Sequence, residues 1–182
     1  LIPAVEDPRL VARRALENMD PMDLAGVYAK FIKRANSRLS EEEVELIAGL
    51  YAEQEFDHGL PPGLLLAIGY CESKHQPEAV SNKSAYGVMQ VQVPTAFDAA
   101  KRLGYIDGSR RPQEWKKFRS QLKNDLSNPD FNIEAGAETI RYYLERNQGN
   151  LSLALEQYSC GAKNYASRVI EKMYEVQKYV MS

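Results

Sequence analysis

Apolar residues recur at helical spacing along most of the chain, and this pattern restricts the fold more than any other feature. Asp20-Pro21 suits an N-cap followed by proline in the first turn, and Ser40 to Glu43 form a capping-box sequence. No strand-rich segment supports a large sheet, so the pattern predicts an all-α, mainly helical fold. Further helices are predicted from Pro61-Pro62 to about Lys74, from Pro94 to Leu103, and from Asn128, Asn150 and about Asn164 onwards.

Two stretches lack the helical pattern. Residues 76–90 are rich in turn-forming residues, which predicts a loop or a short irregular pair of strands. Residues 104–127 are polar and are interrupted by Gly108 and Pro112, so no helix is predicted there.

The composition argues against several classes of function. With 44% hydrophobic and 26% charged residues, the 182-residue chain has the balance of a soluble globular protein. Its formal net charge of −2 provides no basic excess for nucleic acid, and no apolar run approaches the roughly 20 residues of a membrane span. The two cysteines and two histidines have no ligand-type spacing, so we expect neither a metal site nor a cofactor.

One carboxylate occupies a position that favours acid chemistry. Glu72 follows Leu65, Ile68 and Gly69 by seven, four and three residues, which puts it on or beside the apolar stripe of its predicted helix. Desolvation there raises the pKa of a carboxyl group, and a general acid needs such a proton to protonate a glycosidic oxygen. On spacing alone, the alternative is an ordinary glutamate that is solvated or paired with a cation such as Lys74.

Short motifs surround Glu72 and continue into the second half of the chain. They are Glu72-Ser73, Ala79-Val80-Ser81, Gly87-Val88-Met89-Gln90, Asn128 to Ile133, and Gly149 to Tyr158. In their order, and over roughly residues 60–175, they resemble the catalytic domain of the lytic transglycosylase family related to goose-type lysozyme.

The resemblance implies a fold and a set of roles. It implies a lysozyme-like core with at most a tiny β element over residues 59–182, preceded by a helical accessory region over residues 1–58. Glu72 is the single implied catalytic residue, first acid and then base. The implied substrate-binding residues are Ser73 at the helix end, Ser81 and Gln90 beside the N-acetyl group, Gly87 where the backbone approaches substrate, Met89 beneath the groove, Tyr158 with its hydroxyl toward Glu72, Ser159, and Tyr165. For Tyr158 and Met89 the alternative is plain core packing.

Two departures from the family pattern concern the groove. Ser159 stands where the family usually has asparagine, and Gly161 leads almost directly to Asn164-Tyr165 where the family has a longer loop. A serine hydroxyl still donates and accepts hydrogen bonds. The short loop bears on how closed the groove is.

The implied reaction cleaves the β-1,4 bond between MurNAc and GlcNAc in peptidoglycan and forms 1,6-anhydro-MurNAc ends. Most glycosidases use two carboxylates, and Glu78 is the only other acid between Ser73 and Gln90. A single carboxylate is compatible with the N-acetyl group and the 6-hydroxyl of the substrate taking the remaining roles. Two alternatives stay open: a goose-type lysozyme-like hydrolase that uses water, and a non-catalytic glycan-binding or assembly protein.

Peptidoglycan glycan strands are the implied partner, and the implied location is the periplasm or cell envelope. Leu1 to Arg9 do not resemble a signal peptide, so we expect any targeting segment to lie outside this chain. Wall turnover, a secretion machine and a phage are alternative settings, and an envelope or secretion-machine partner stays unidentified.

Three weaker signals each allow two interpretations. Cys71 and Cys160 form a disulfide across the groove, or they are two small buried thiols. Residues 101–123 are basic and meet the carboxylates of stem peptides, or they form a solvated surface. His75 modulates Glu72, or it is an exposed loop histidine.

Overall fold

The computed structural model describes residues 14–106 and 112–180, without the side chains of residues 112–116 and 180. The mainly helical architecture predicted from the sequence is confirmed, and none of the described helices is long and apolar enough to cross a membrane. A helical turn covers residues 14–17. The elements that follow are α1 Pro21–Ala35, α2 Glu41–Asp57, α3 Leu64–Ser73, β1 Ala85–Tyr86, β2 Val91–Gln92, α4 Val93–Arg102, α5 Pro112–Asp125, α6 Pro129–Arg146, α7 Leu151–Tyr158 and α8 Tyr165–Val180.

The first two helices begin at the predicted caps. Asp20 Oδ1 accepts the N–H of Met22 at 2.9 Å. At α2, the Ser40 N–H donates to Glu43 Oε2 at 2.7 Å, and the Glu43 N–H donates to Ser40 Oγ at 3.2 Å. These bonds satisfy N–H groups that a helix leaves unpaired in its first turn, and each cap contributes about 0.5–2 kcal/mol.

The prediction that residues 104–127 contain no helix was wrong, because α5 lies within them. Pro112 begins this helix rather than breaking it, because proline lacks an N–H that would be unpaired in the first turn anyway. The helix has few apolar residues, so its periodicity is weak. Leu122 is nevertheless buried, and it packs in a small cluster with Phe97, Ala100 and Ile106.

One larger core joins the first helices to the rest of the described structure. Tyr28 on α1 and Tyr51 on α2 are buried in the same cluster as Ile68 on α3 and Val169 on α8. The division between residues 1–58 and 59–182 stays a prediction. The core includes residues from both sides of it.

A buried glutamate fixes the start of α3. Glu55, near the end of α2, accepts the N–H of Leu65 at 2.7 Å and the N–H of Gly63 at 3.0 Å. The hydroxyl of Tyr28 on α1 donates to the same carboxylate at 2.5 Å. Burial raises the pKa of Glu55 to about 7, against the lowering effect of these hydrogen bonds. The N-terminal end of α3 is therefore tied to both preceding helices.

The β element is a single two-stranded antiparallel sheet in the described residues. Ala85 lies opposite Gln92, and Tyr86 lies opposite Val91. A short strand pair was one of the two structures predicted for residues 76–90, although β2 lies just beyond that range. The tight connection between the strands carries Gly87 to Gln90, the last of the motifs near Glu72.

Candidate active site

Glu72 lies in the last turn of α3, where the helix changes from buried to partly exposed positions. Residues 64–69 are buried, and Glu72 is half-buried. Burial raises the pKa of Glu72, and the hydrogen bond from Tyr165 and the charge of Arg168 only partly offset it. A carboxyl group in this environment keeps its proton to higher pH, which suits a general acid.

Tyr165, rather than Tyr158, contacts this carboxyl group directly. The Tyr165 hydroxyl donates to Glu72 Oε1 at 2.5 Å. The Tyr158 hydroxyl donates instead to the backbone carbonyl of Met89 at 3.0 Å, so the predicted orientation of this hydroxyl toward Glu72 is not accompanied by a hydrogen bond between the two side chains. A buried hydroxyl needs an acceptor, and the carbonyl meets that need for Tyr158. Burial raises the pKa of both tyrosines, so both hydroxyls act as donors.

Ser73 joins the end of α3 to the connection between the strands. Its Oγ donates to the Val88 carbonyl at 2.8 Å and accepts the N–H of Gln76 at 3.0 Å. This is the kind of support for the helix end that the sequence predicted for Ser73, although Ser73 itself does not line the cleft described below.

Asn132 on α6 holds the same connection from the other side, and it is fully buried. Its Oδ1 accepts the N–H of Met89 at 2.8 Å. Its Nδ2 donates to the carbonyls of Tyr86 at 2.8 Å and Leu126 at 3.0 Å. One side chain therefore satisfies two backbone groups of the strand connection, at Tyr86 and Met89, and a third just before α6, at Leu126.

Gly87 is required by packing, and its predicted role of letting the backbone approach substrate stays a prediction. A Cβ at this position would lie 2.4 Å from Asn132 Nδ2 and 2.7 Å from the Leu126 carbonyl oxygen. Its φ of +73° is also in the left-handed region that glycine tolerates best. Gly87 faces the Asn132 side chain and does not line the cleft.

The side chains around Glu72 form a cleft of about 290 Å³, which we call the Glu72 cleft. The predicted residues that line it are Glu72, Ser81, Gln90, Tyr158, Ser159 and Tyr165. Met89 is fully buried against Gly136, beneath this surface rather than on it. The Gln90 amide donates to the carbonyls of Ala79 at 3.1 Å and Gly87 at 3.0 Å, which fixes the orientation of its side chain.

The model of the transglycosylase SLT domain family matches residues 50–181. The chain belongs to this family. The resemblance inferred from the motifs around Glu72 is thereby confirmed.

The chain is also similar to individual proteins, in sequence or in fold. It is 37% identical over 79 residues to membrane-bound lytic murein transglycosylase F of Stutzerimonas stutzeri, which is 43% of this chain and 15% of that protein. Its fold is similar to that of the 70-kDa soluble lytic transglycosylase SLT70 of Escherichia coli, with a TM-score of 0.59 and 16% identity. That match covers 96% of this chain and 33% of the other.

A solved complex of the 70-kDa soluble lytic transglycosylase with bulgecin A gives a TM-score of 0.51 at 18% identity, over 93% of this chain and 30% of that one. These likenesses confirm the lysozyme-like fold predicted for the core. The chain thus spans about a third or less of the length of the relatives it matches.

Both cysteines of this SLT domain line the Glu72 cleft, and both are free. The disulfide alternative was therefore wrong. The alternative of two buried thiols was also wrong, because Cys160 is exposed and Cys71 is only partly buried. Burial raises the pKa of the Cys71 thiol, which favours its protonated form.

His75 is buried, so the prediction of an exposed loop histidine was wrong. Only 1% of its surface is exposed, and its Nδ1 lies 3.1 Å from the Tyr51 hydroxyl. The backbone turns back after α3 through left-handed conformations at Lys74 and His75, and the His75 N–H donates to the Gly69 carbonyl at 3.1 Å. This turn directs the ring into the core, where burial lowers the pKa of His75 to about 3.

The SLT domain also has cleft residues that the sequence reasoning missed, among them Lys83, Thr139, Tyr143 and Arg168. Arg168 follows Tyr165 by three residues, so helical spacing on α8 was a usable signal for it. Of the basic residues in 101–123, those at 107–111 lie outside the described residues.

Arg102, in the described part of that stretch, is bound within the protein. Its Nε donates to Glu138 Oε1 at 2.8 Å. The guanidinium also lies over the Tyr142 ring, with Cζ 4.3 Å from the centroid. Because of these two contacts, Arg102 is neither a freely solvated surface cation nor a free binding site for stem-peptide carboxylates.

Proposed function

We propose that this chain is a peptidoglycan lytic transglycosylase that cleaves the β-1,4 bond between MurNAc and GlcNAc and leaves 1,6-anhydro-MurNAc ends. One observation carries the proposal: in a member of the SLT family, a half-buried glutamate with a raised pKa lines a cleft and accepts a tyrosine hydrogen bond. That arrangement suits a residue that must release a proton and later recover one.

In the proposed reaction Glu72 starts protonated. Its proton passes to the glycosidic oxygen as the bond to C1 of MurNAc breaks, and the bonding electron pair leaves with the GlcNAc oxygen. The N-acetyl oxygen of the same MurNAc stabilises the positive charge at C1. The 6-hydroxyl then attacks C1, and the Glu72 carboxylate takes the hydroxyl proton. The acid is restored, and no water is consumed.

The presence of a single carboxylate among the described residues of the cleft favours this reaction over hydrolysis. Among the described residues that line the Glu72 cleft, Glu72 is the only carboxylate. Asp98 lines an adjoining cleft, and Glu78 is exposed in the loop after α3. Glycosidases that activate water or form a glycosyl-enzyme usually need a second carboxylate across the bond. The substrate groups named above supply those roles in the proposal.

The remaining side chains have supporting roles in this proposal. The Tyr165 hydroxyl stabilises the Glu72 carboxylate between the two proton transfers, because its bond favours the ionised form. Ser81, Gln90 and Ser159 line the cleft where they are available to bind the sugar. Tyr158, through the Met89 carbonyl, keeps the strand connection in position.

The test compares Glu72→Gln with Glu78→Gln, an exposed glutamate outside the cleft. Turbidity of purified cell walls measures activity, and mass spectrometry of the products distinguishes anhydro ends from reducing ends, which are heavier by one water. We expect wild type and Glu78→Gln to release anhydro products, and Glu72→Gln to lose at least about 10²–10⁴-fold in rate at unchanged thermal stability.

Each contrary outcome has a distinct meaning. Retained activity in Glu72→Gln would remove Glu72 as the acid. Reducing ends from the wild type would indicate a lysozyme-like hydrolase. Binding of glycan without any release of sugar would indicate a non-catalytic glycan-binding protein.

We also propose that the chain acts at the bacterial cell envelope. The support is the substrate and the name of the Stutzerimonas stutzeri relative, which is membrane-bound. The division into a helical accessory region over residues 1–58 and a catalytic region over 59–182 remains part of the proposal.

A further inference from the structure

Two cations line the Glu72 cleft and are contributed by different elements. Arg168 lies on α8, and its Cζ is 5.7 Å from the centroid of the Tyr165 ring. Lys83 lies in the turn before β1, two residues after Ser81, which lines the same cleft. Both residues are exposed to solvent.

These cations lack the carboxylate partners that other basic residues of the fold have. Arg102 and Arg141 both pair with Glu138 at 2.8 Å. Within the part of the chain that the structure describes, no carboxylate lies within ion-pair distance of Arg168 or Lys83. Their charges are therefore available to a ligand.

The cleft has little negative charge of its own to balance them. Glu72 is its only carboxylate among the described lining residues. The cleft is therefore net positive, and a concave site lined by one sign of charge attracts ligands of the opposite sign. A guanidinium in particular matches the two oxygens of a carboxylate.

We propose that Arg168 and Lys83 bind carboxylates of the stem peptides of peptidoglycan, so that this cleft prefers peptide-bearing strands to bare glycan. The inference rests on the proposed function and deepens it. Glycan hydroxyl and N-acetyl groups are neutral, whereas stem peptides carry several carboxylates. Two cations on separate elements fit such a branched, multiply charged ligand better than they fit the single lactyl carboxylate of a stripped MurNAc.

The test uses three substrates made from one preparation of strands. The first keeps its stem peptides, the second is stripped by an amidase and has free lactyl carboxylates, and the third is stripped and then amidated to neutrality. The variants are Arg168→Gln and Lys83→Gln, with Lys178→Gln as an exposed control on α8 outside the cleft. The measured quantity is the ratio of kcat/KM on peptide-bearing strands to that on neutral strands.

We expect this ratio to fall about tenfold in Arg168→Gln and less in Lys83→Gln, and to stay at the wild-type value in Lys178→Gln. Arg168 also lowers the pKa of Glu72, so its removal affects catalysis on every substrate. That effect cancels in the ratio. The inference would be overturned if the ratio is unchanged both in Arg168→Gln and in the double variant that carries Arg168→Gln and Lys83→Gln. A loss of kcat/KM that is confined to strands with free lactyl carboxylates would also overturn it.

A binding measurement separates this inference from the proposed reaction. In the Glu72→Gln background, peptide-bearing fragments are expected to bind about tenfold more tightly than neutral fragments, and Arg168→Gln is expected to remove the difference. If the wild type cleaves no substrate but this difference is present, the proposed reaction fails and carboxylate recognition stands. If the wild type cleaves both strands equally and no difference is present, the reaction stands and this inference fails.

Discussion

The three hydrogen bonds of Asn132 allow a quantitative prediction of how much this side chain stabilises the fold. In Asn132→Ala the Met89 N–H and the carbonyls of Tyr86 and Leu126 lose this partner inside the protein. In Asn132→Asp the shape is kept and one oxygen still accepts from Met89. The other oxygen, however, replaces a donor that lies 2.8 Å and 3.0 Å from two carbonyl oxygens.

The cost follows from the number of backbone groups left unpaired. Each buried polar group without a partner costs about 1–3 kcal/mol, so three such groups reduce the free energy of unfolding by about 3–6 kcal/mol after partial relaxation. For a chain of this size, 1 kcal/mol corresponds to a Tm change of about 2–4 °C. We therefore expect Asn132→Ala to lower Tm by about 6–24 °C. We expect Asn132→Asp to be no better, because it places like partial charges together.

The assay is thermal and urea unfolding followed by circular dichroism, with Asn124→Asp as the control. Asn124 is an exposed asparagine on α5, so its replacement should change stability by less than about 0.5 kcal/mol. If Asn132→Asp unfolds within about 1 kcal/mol of the wild type, the amide group donates nothing of consequence, and our account of the strand connection is wrong.

Three further replacements address other contacts. Tyr165→Phe removes a bond that lowers the pKa of Glu72, so the alkaline limb of the kcat/KM profile should move to higher pH; an unmoved limb contradicts the contact. Gly136→Ala puts a Cβ 2.9–3.0 Å from Met89 side-chain atoms and should cost about 1–3 kcal/mol in urea unfolding; a neutral effect contradicts this packing. His75 has a folded-state pKa of about 3, below its ordinary 6.5, so it stays neutral while the unfolded chain binds a proton. Stability should then fall as pH decreases from 6.5 toward 3, by up to about 1.4 kcal/mol per unit, and His75→Asn should remove that slope; an equal slope in both proteins refutes it.

Two of these tests have matched controls in the same fold. Gly49→Ala on α2 adds a Cβ with no atom within 4 Å, so better helix propensity should make it neutral or stabilising by up to about 1 kcal/mol. Tyr174→Phe removes an exposed hydroxyl on α8, and the pH profile should not change.

Features determined by neighbouring residues were predictable from the sequence. The caps at Asp20 and Ser40 involve partners two and three residues away, and both form as predicted. The helix that carries Glu72 was predicted from its apolar spacing, and burial of this helix accounts for the raised pKa. In each case the feature depends on residues within one helix or directly before it.

Features that depend on distant partners were not predictable. Asn132 and Met89 are 43 residues apart, and no local pattern indicates that one side chain spans to the other. The motifs pointed the Tyr158 hydroxyl toward Glu72 and gave Tyr165 only as a substrate-binding residue, yet Tyr165 rather than Tyr158 makes the hydrogen bond to Glu72. The choice depends on how the short loop between them positions α8, which spacing does not reveal. His75 was misplaced because two left-handed residues reverse the chain after α3.

The hydrogen bonds from the start of α3 to Glu55 also determine where Glu72, at the other end of this helix, is positioned. α3 has 10 residues and is about 15 Å long, with Glu72 in its final turn. A tilt introduced at Gly63 or Leu65 is therefore transmitted along this rigid helix to the Glu72 side chain. A fragment that keeps all the hydrogen bonds at the start of α3 must therefore include Tyr28, which lies upstream of every motif around Glu72.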